Sequence, residues 1–291
     1  MRVALAAVAL AVPPALTPVA TVSVGAQSGM LVSAAGSVWT SDFVLGGVVR
    51  IDPRTNTITR RVPVQGQPFG LAYGAGSVWV ADRSAPTLTR IDPRTNRVTK
   101  RIAIGYQSYA VAFGAGSVWV TSEADGTVRR VDPTTNHVTT IKVGSDPNGV
   151  VYAFGSLWVA NLGGGTVVRV DVKTNRVSAK IAIPKADWIT ASPTSLWVST
   201  ETGRVVRVDP VRGRITARVR VGANPLGSAW IKGELWVPNI DAGTVSIVDP
   251  AKNAVRATEA AGRGPLSIAS AVGDVWISNS AEGTVWRVRP A

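Results

Sequence analysis

Gly76-Ser77-Val78-Trp79-Val80 returns forty residues later as Gly116-Ser117-Val118-Trp119-Val120. The same signature, V/L-W-V/I/T, occurs seven times, centred on Trp39, Trp79, Trp119, Trp158, Trp197, Trp236 and Trp276 at spacings of 39 or 40 residues. Downstream of each Trp a Gly-Thr-Val-like segment runs into Asp-Pro or a relative, as at Asp52-Pro53, Asp92-Pro93 and Asp132-Pro133. A Thr-Asn turn such as Thr55-Asn56 or Thr95-Asn96 follows. In the second unit four strand signals stand at residues 70–73, 77–81, 87–91 and 97–104, rich in Val, Ile and Thr and separated by tight turns. Pro fixes φ at the first corner of the Asp-Pro-x-Thr-Asn link and Asn tolerates the left-handed corner, so the link specifies a hairpin. Four short antiparallel strands per unit, repeated seven times, predict an all-β, seven-bladed β-propeller.

A propeller avoids unpaired edges only by closing on itself. The last unit stops after its third strand. Residues 19–25, Val19-Ala20-Thr21-Val22-Ser23-Val24-Gly25, align with residues 138–144 at the offset of 119 that relates Trp39 to Trp158. Residues 19–24 are therefore predicted as the outer strand of the last blade, and residues 19–291 as one domain. Residues 1–18 read as a signal peptide or apolar leader, because Val3 to Val12 is unbroken and apolar but too short to cross a bilayer. This predicts a secreted, periplasmic or envelope-associated protein without a transmembrane anchor. A cut after Ala26 would discard the closing strand, whereas one after Ala15 or Ala20 would keep all or most of it.

Composition narrows the chemistry. The 291 residues include no Cys and one His, which removes disulfides, thiolate metal sites and any Ser-His-Asp relay that needs a second His. His137 falls in a solvent-facing turn. No Gly-rich phosphate loop occurs, since Gly163-Gly164-Gly165 lacks the following Lys-Ser/Thr. The net charge of +13 falls largely on turns, outer strands and a column formed by Arg50, Arg90, Arg130, Arg169, Arg207 and Arg287, interrupted by Ile247. That column reads either as surface Arg laid over apolar neighbours or as a ring gripping a polyanion. No nucleic-acid module is present, and no nucleic-acid partner is expected.

Seven internal copies separate scaffold columns from variable ones. The Trp column reads as filling between blades. Variable residues gather in two links expected on one face. The link into each first strand carries Phe69, Tyr109, Asn148, Asp187, Leu226 and Leu266, with Trp188 beside Asp187. The link between second and third strands carries Phe43, Asp82, Arg83, Glu123, Glu201 and Asp241. First strands line a propeller channel, so these residues should ring its mouth and bind a protein, a peptide or an envelope polymer. The carboxylates Asp82, Glu123, Asp187, Glu201 and Asp241 come from different blades. Only a hard cation would suit them, no Asp-dense loop points to one, and neither metal nor cofactor is expected. A monomer is expected.

Gly-Ser-Val-Trp-Val, Gly-Thr-Val-x-Arg-Val/Ile-Asp-Pro, Thr-Asn-x-Val and Val-Gly-x-x-Pro-x-Gly together resemble the bacterial YVTN-type and streptogramin-lyase-like seven-bladed propeller repeats over residues 19–291. Within that wider group, resemblance to the streptogramin B lyases implies a Mg²⁺-assisted ring-opening elimination that depends on His on one face. Here the one His, His137, stands in a third-to-fourth-strand turn. The other relatives imply secreted or envelope-associated binding modules.

Overall fold

The computed structural model describes residues 16–290. Seven four-stranded antiparallel sheets follow one another around a ring. Blade 1 comprises Ser28–Ala34, Ser37–Asp42, Gly47–Asp52 and Thr57–Pro63, ordered from the channel outward, and blades 2 to 6 repeat the pattern. Blade 7 takes its inner three strands from Pro265–Ala271, Asp274–Asn279 and Thr284–Val288. Its outer strand is Ala20–Ser23, which pairs Ala20 with Arg287 and Ser23 with Thr284. The backbone amides of Val19 and Val24 extend this ladder to the carbonyls of Arg287 and Gly283, both at 2.8 Å. The N-terminal strand thus closes the ring. Packing begins before residue 19, for Leu16 is buried and its amide donates to the Ala260 carbonyl at 2.9 Å in blade 6. The apolar run Val3 to Val12 lies outside the described residues.

The seven repeat tryptophans are at most 2% exposed. Trp39 packs with Leu71, Val78 and Ile91 of blade 2, Trp79 with Val118 and Val120 of blade 3, and Trp276 with Val24, Val38 and Ile51 across the closing seam. Burying such a ring removes roughly 150–250 Å² from water, about 4–6 kcal/mol of transfer free energy before entropic costs. The indole of Trp39, Trp79, Trp119, Trp158 and Trp276 donates to the carbonyl five residues earlier, at 2.9–3.4 Å.

The Arg column is a clasp between blades. Arg130 stacks over Trp119 with its guanidinium carbon 5.0 Å from the ring. Its Nε donates to Ser117 Oγ at 3.0 Å in its own blade, and its Nη1 donates to the Val172 carbonyl at 2.7 Å and to Asn175 Oδ1 at 2.9 Å in the next. Arg50 and Arg207 repeat the arrangement with Asn96 and Asn253. These asparagines have φ between 50° and 56°, so the left-handed corner also presents the amide oxygen to the neighbouring blade. The polyanion reading therefore loses donors of Arg50, Arg90, Arg130, Arg207 and Arg287 to neighbouring blades. Much of the remaining positive charge stands on exposed outer-strand positions such as Arg60, Arg61, Lys100 and Arg101.

Inner strands crowd the axis. A Cβ on Gly70 would come within 2.1 Å of the Tyr109 carbonyl oxygen, and one on Gly227 within 2.2 Å of that of Leu266, which explains the final Gly of the Pro-x-Gly motif. Inner and second strands also shift register at the mouth, between Pro68 and Leu71, Ser108 and Val111, Pro147 and Val150, and Ala186 and Trp188. Such bulges turn side chains out of the ladder direction, here at the variable column.

Candidate functional site

On the face carrying the second-to-third-strand loops, a cavity of about 480 Å³ opens over the channel. Phe69, Tyr109, Asn148, Asp187 and Leu266 reach it from the inner strands, Leu226 from the segment leading into the inner strand of blade 6, and Arg83, Glu123 and Glu201 from the loops. The two columns are tied by backbone bonds: the amides of Arg83, Glu123 and Glu201 donate to the carbonyls of Gln67, Gln107 and Lys185 at 3.0, 3.1 and 3.2 Å. Loop side chains are thereby held at fixed positions around the mouth.

One side is aromatic. Phe69 and Tyr109 are buried with ring centroids 4.5 Å apart, and Phe43 meets Phe69 edge-on at 6.2 Å. They plug the channel instead of standing exposed around it. Arg83 lies over this pair, 5.6 Å from the Phe69 ring and 5.0 Å from Tyr109, and binds Glu123 at 3.1 Å. Burial, and secondarily the charge of Asp187, holds the Tyr109 phenol well above its ordinary range. Trp188 is half-buried and packs into the central core without joining the cavity wall. Asp241 is exposed at the edge, where it accepts from Asn224 Nδ2 at 3.3 Å.

The opposite side is acidic. Asp187 is 6% exposed, and Asn148 Nδ2 donates to its Oδ1 at 2.8 Å. Burial first, and then the charges of Glu201, Asp146 and Glu123, push the Asp187 carboxyl up to about 6, against the Asn148 hydrogen bond. Glu123 is raised as well, by burial above all. Lys185 occupies Glu201 at 3.2 Å. Asp187 and Asp146 form no ion pair among the described residues.

Asp82 does not share the cavity wall. Its buried carboxylate accepts from the amides of Ser84 and Ala85 at 2.8 and 2.5 Å and so ties its own loop. Among the described residues no three His, Asp or Glu side chains stand close enough together to hold a metal ion. His137 is exposed in the third-to-outer turn of blade 3, on the opposite face. Sequence reasoning missed Asp146, Leu162, Asn224 and Ile240, which complete the wall. Asp146 and Asn224 occupy one register position, immediately before Pro147 and Pro225, and have φ of 56° and 53°. A left-handed corner at the mouth was the signal available for them.

A family model described as a repeat of unknown function (DUF6923) matches residues 72–164. No curated protein matches the chain. Among solved structures, hydrazine synthase from Kuenenia stuttgartiensis is 16% identical with a TM-score of 0.81, covering 91% of this chain and 96% of that one. A streptogramin B lyase is 14% identical with a TM-score of 0.81, covering 91% and 94%. At these identities the likeness is one of fold, a seven-bladed propeller shared by proteins of different function.

Proposed function

We propose that this protein is an exported, non-catalytic binding module that holds a protein, peptide or cell-envelope polymer at the mouth of its channel. The observation that carries the reading is the buried Asp187–Asn148 pair beneath an open cavity, flanked by carboxylates and a packed aromatic pair. Burying a carboxylate without a cationic partner costs stability, and sites that sacrifice stability are characteristically those that meet a ligand. Five blades contribute polar or aromatic groups to this mouth; the cavity of about 680 Å³ on the opposite face, beside Tyr73, Arg90 and Arg94, lies among repeat turns whose columns recur from blade to blade.

Export rests on the leader residues, and kinship with the YVTN-type proteins rests on the repeat motifs. The lyase reading is less well supported, since the sole His stands on the far face. Envelope extracts passed over immobilised wild-type protein and an Asp187→Asn/Glu201→Gln variant test the proposal. Capture by the wild type and its loss in the variant support the reading, and equal capture by both overturns it.

A further inference from the structure

The cavity also indicates what kind of group it receives. We propose that Asp187 and Asn148 form a subsite for a protonated amine carried on an apolar body; this rests on the mouth being a ligand site.

The cations near the mouth are already committed. Arg83 is bound to Glu123 and stacked on Phe69 and Tyr109, and Lys185 is bound to Glu201. Asp187, the most buried carboxylate on the cavity wall, has only the neutral amide of Asn148 as a side-chain partner among the described residues. Asp146 adds a second carboxylate to the same wall with no ion pair among the described residues. An entering cation would therefore meet uncompensated negative charge in a partly desolvated site, where attraction is stronger than at an open surface.

Asn148 supplies the independent observation. It is 5% exposed, forms part of the cavity wall, and leaves Oδ1 without a hydrogen-bond partner among the described residues. A buried amide oxygen left unpaired costs stability that an entering donor would restore. An ammonium group carries three donors, enough to engage the Asp187 carboxylate and Asn148 Oδ1 together. The broad terminal torsion of Asn lets the amide turn its oxygen toward the donor, the ammonium then replacing the bond that Nδ2 gives to Asp187.

The apolar body has its own wall. Leu162, Leu226, Ile240 and Leu266 line the cavity around the blade 4 to blade 7 side. A peptide α-amine followed by an apolar residue and a free arylalkylamine share this chemistry.

Calorimetric titration at pH 7.5 tests the subsite with two pairs of probes: phenethylamine against 2-phenylethanol, and Phe-Ala amide against its N-acetyl form. The wild type is expected to bind the amine of at least one pair tenfold or more tighter than its neutral counterpart, and the pair that does so identifies the source of the amine. Asp187→Asn, with its fold checked by circular dichroism, is expected to abolish the preference. Equal binding of amine and neutral forms, or a preference surviving in Asp187→Asn, overturns the amine subsite while leaving a ligand site at the mouth. Binding of neither member of either pair overturns the amine subsite too; retained capture from envelope extracts would then leave the broader binding reading standing.

Discussion

Arg287 Nη1 donates to Asn56 Oδ1 at 2.9 Å across 231 residues of sequence, and to the Pro53 carbonyl at 2.8 Å. The bond joins blade 7 to blade 1 and gives the seam that closes the ring the same clasp as the seams within the chain. Ile247 takes the place of the Arg at the seam from blade 6 to blade 7, the blade whose outer strand, Ala20–Ser23, comes from the other end of the chain. Arg169 faces a turn with Gly213 where others have Asn, and it keeps only Ser156 at 2.7 Å and the Trp158 ring at 5.6 Å.

Removing one clasp should therefore be costly. Arg130→Met keeps the stem over Trp119 but loses the bonds to Val172 and Asn175, an expected loss of about 2 kcal/mol in denaturant unfolding. An unchanged unfolding free energy in Arg130→Met would show that the stem stacked on the Trp, and not the neighbouring turn, is what the Arg contributes.

Closure by the N-terminal strand has a consequence for stability. A chain starting at residue 16 keeps Val22 and Val24, 6% and 0% exposed, whereas one starting at residue 27 loses both and the whole ladder to Thr284–Val288. At about 1.5–3 kcal/mol per buried Val the shorter chain is expected to lose about 4 kcal/mol or more. For a domain of this size that corresponds to about 10 °C in Tm, readable by calorimetry.

The same packing bears on the export proposed above. Leu16 is buried against the seam between blades 6 and 7, so a leader removed on export is expected to be cut before Leu16 and not after Ala26. N-terminal sequencing of the protein recovered from the envelope or medium reads the position, and the uncut chain confined to the cytoplasm would contradict export itself. A mature chain beginning at Gln27 would mean that the ring closes on a three-stranded blade.

Asp187 makes the fold sensitive to pH in a definite direction. Its carboxyl is raised from 3.8 to about 6 in the folded state. Between those values the folded protein binds more protons than the unfolded chain, so stability falls as pH rises through the window and stays lowered above it. The full effect is on the order of 2–3 kcal/mol. Asp187→Asn is therefore expected to raise Tm at pH 8 and to leave it nearly unchanged at pH 3.5. An equal shift at both pH values would point to packing instead of charge.

Blade number, strand order and ring closure were legible because a period of 39 or 40 residues and the offset of 119 are one-dimensional properties of the chain. The meaning of the Arg column was not, because the partner of Arg130 lies 45 residues on, in the turn of the next blade. The mouth was legible in part. Column reading placed Asn148 and Asp187 in neighbouring blades, and the structure joins them. It could not show that Phe69 and Tyr109 turn inward as a plug, since that follows from bulges set by backbone packing at the axis. Asp146 escaped notice because the residue before a Pro reads as part of a turn.

The assignment of binding to one face and of scaffold duty to the other is tested most directly by hydrogen-exchange mass spectrometry with saturating ligand from the envelope capture. Exchange is expected to slow at residues 105–110, 144–149 and 183–189, which frame the mouth. The turns at 52–56, 92–96, 132–136 and 171–175 should be unaffected. Slowing at those turns with no change at the mouth would contradict the assignment.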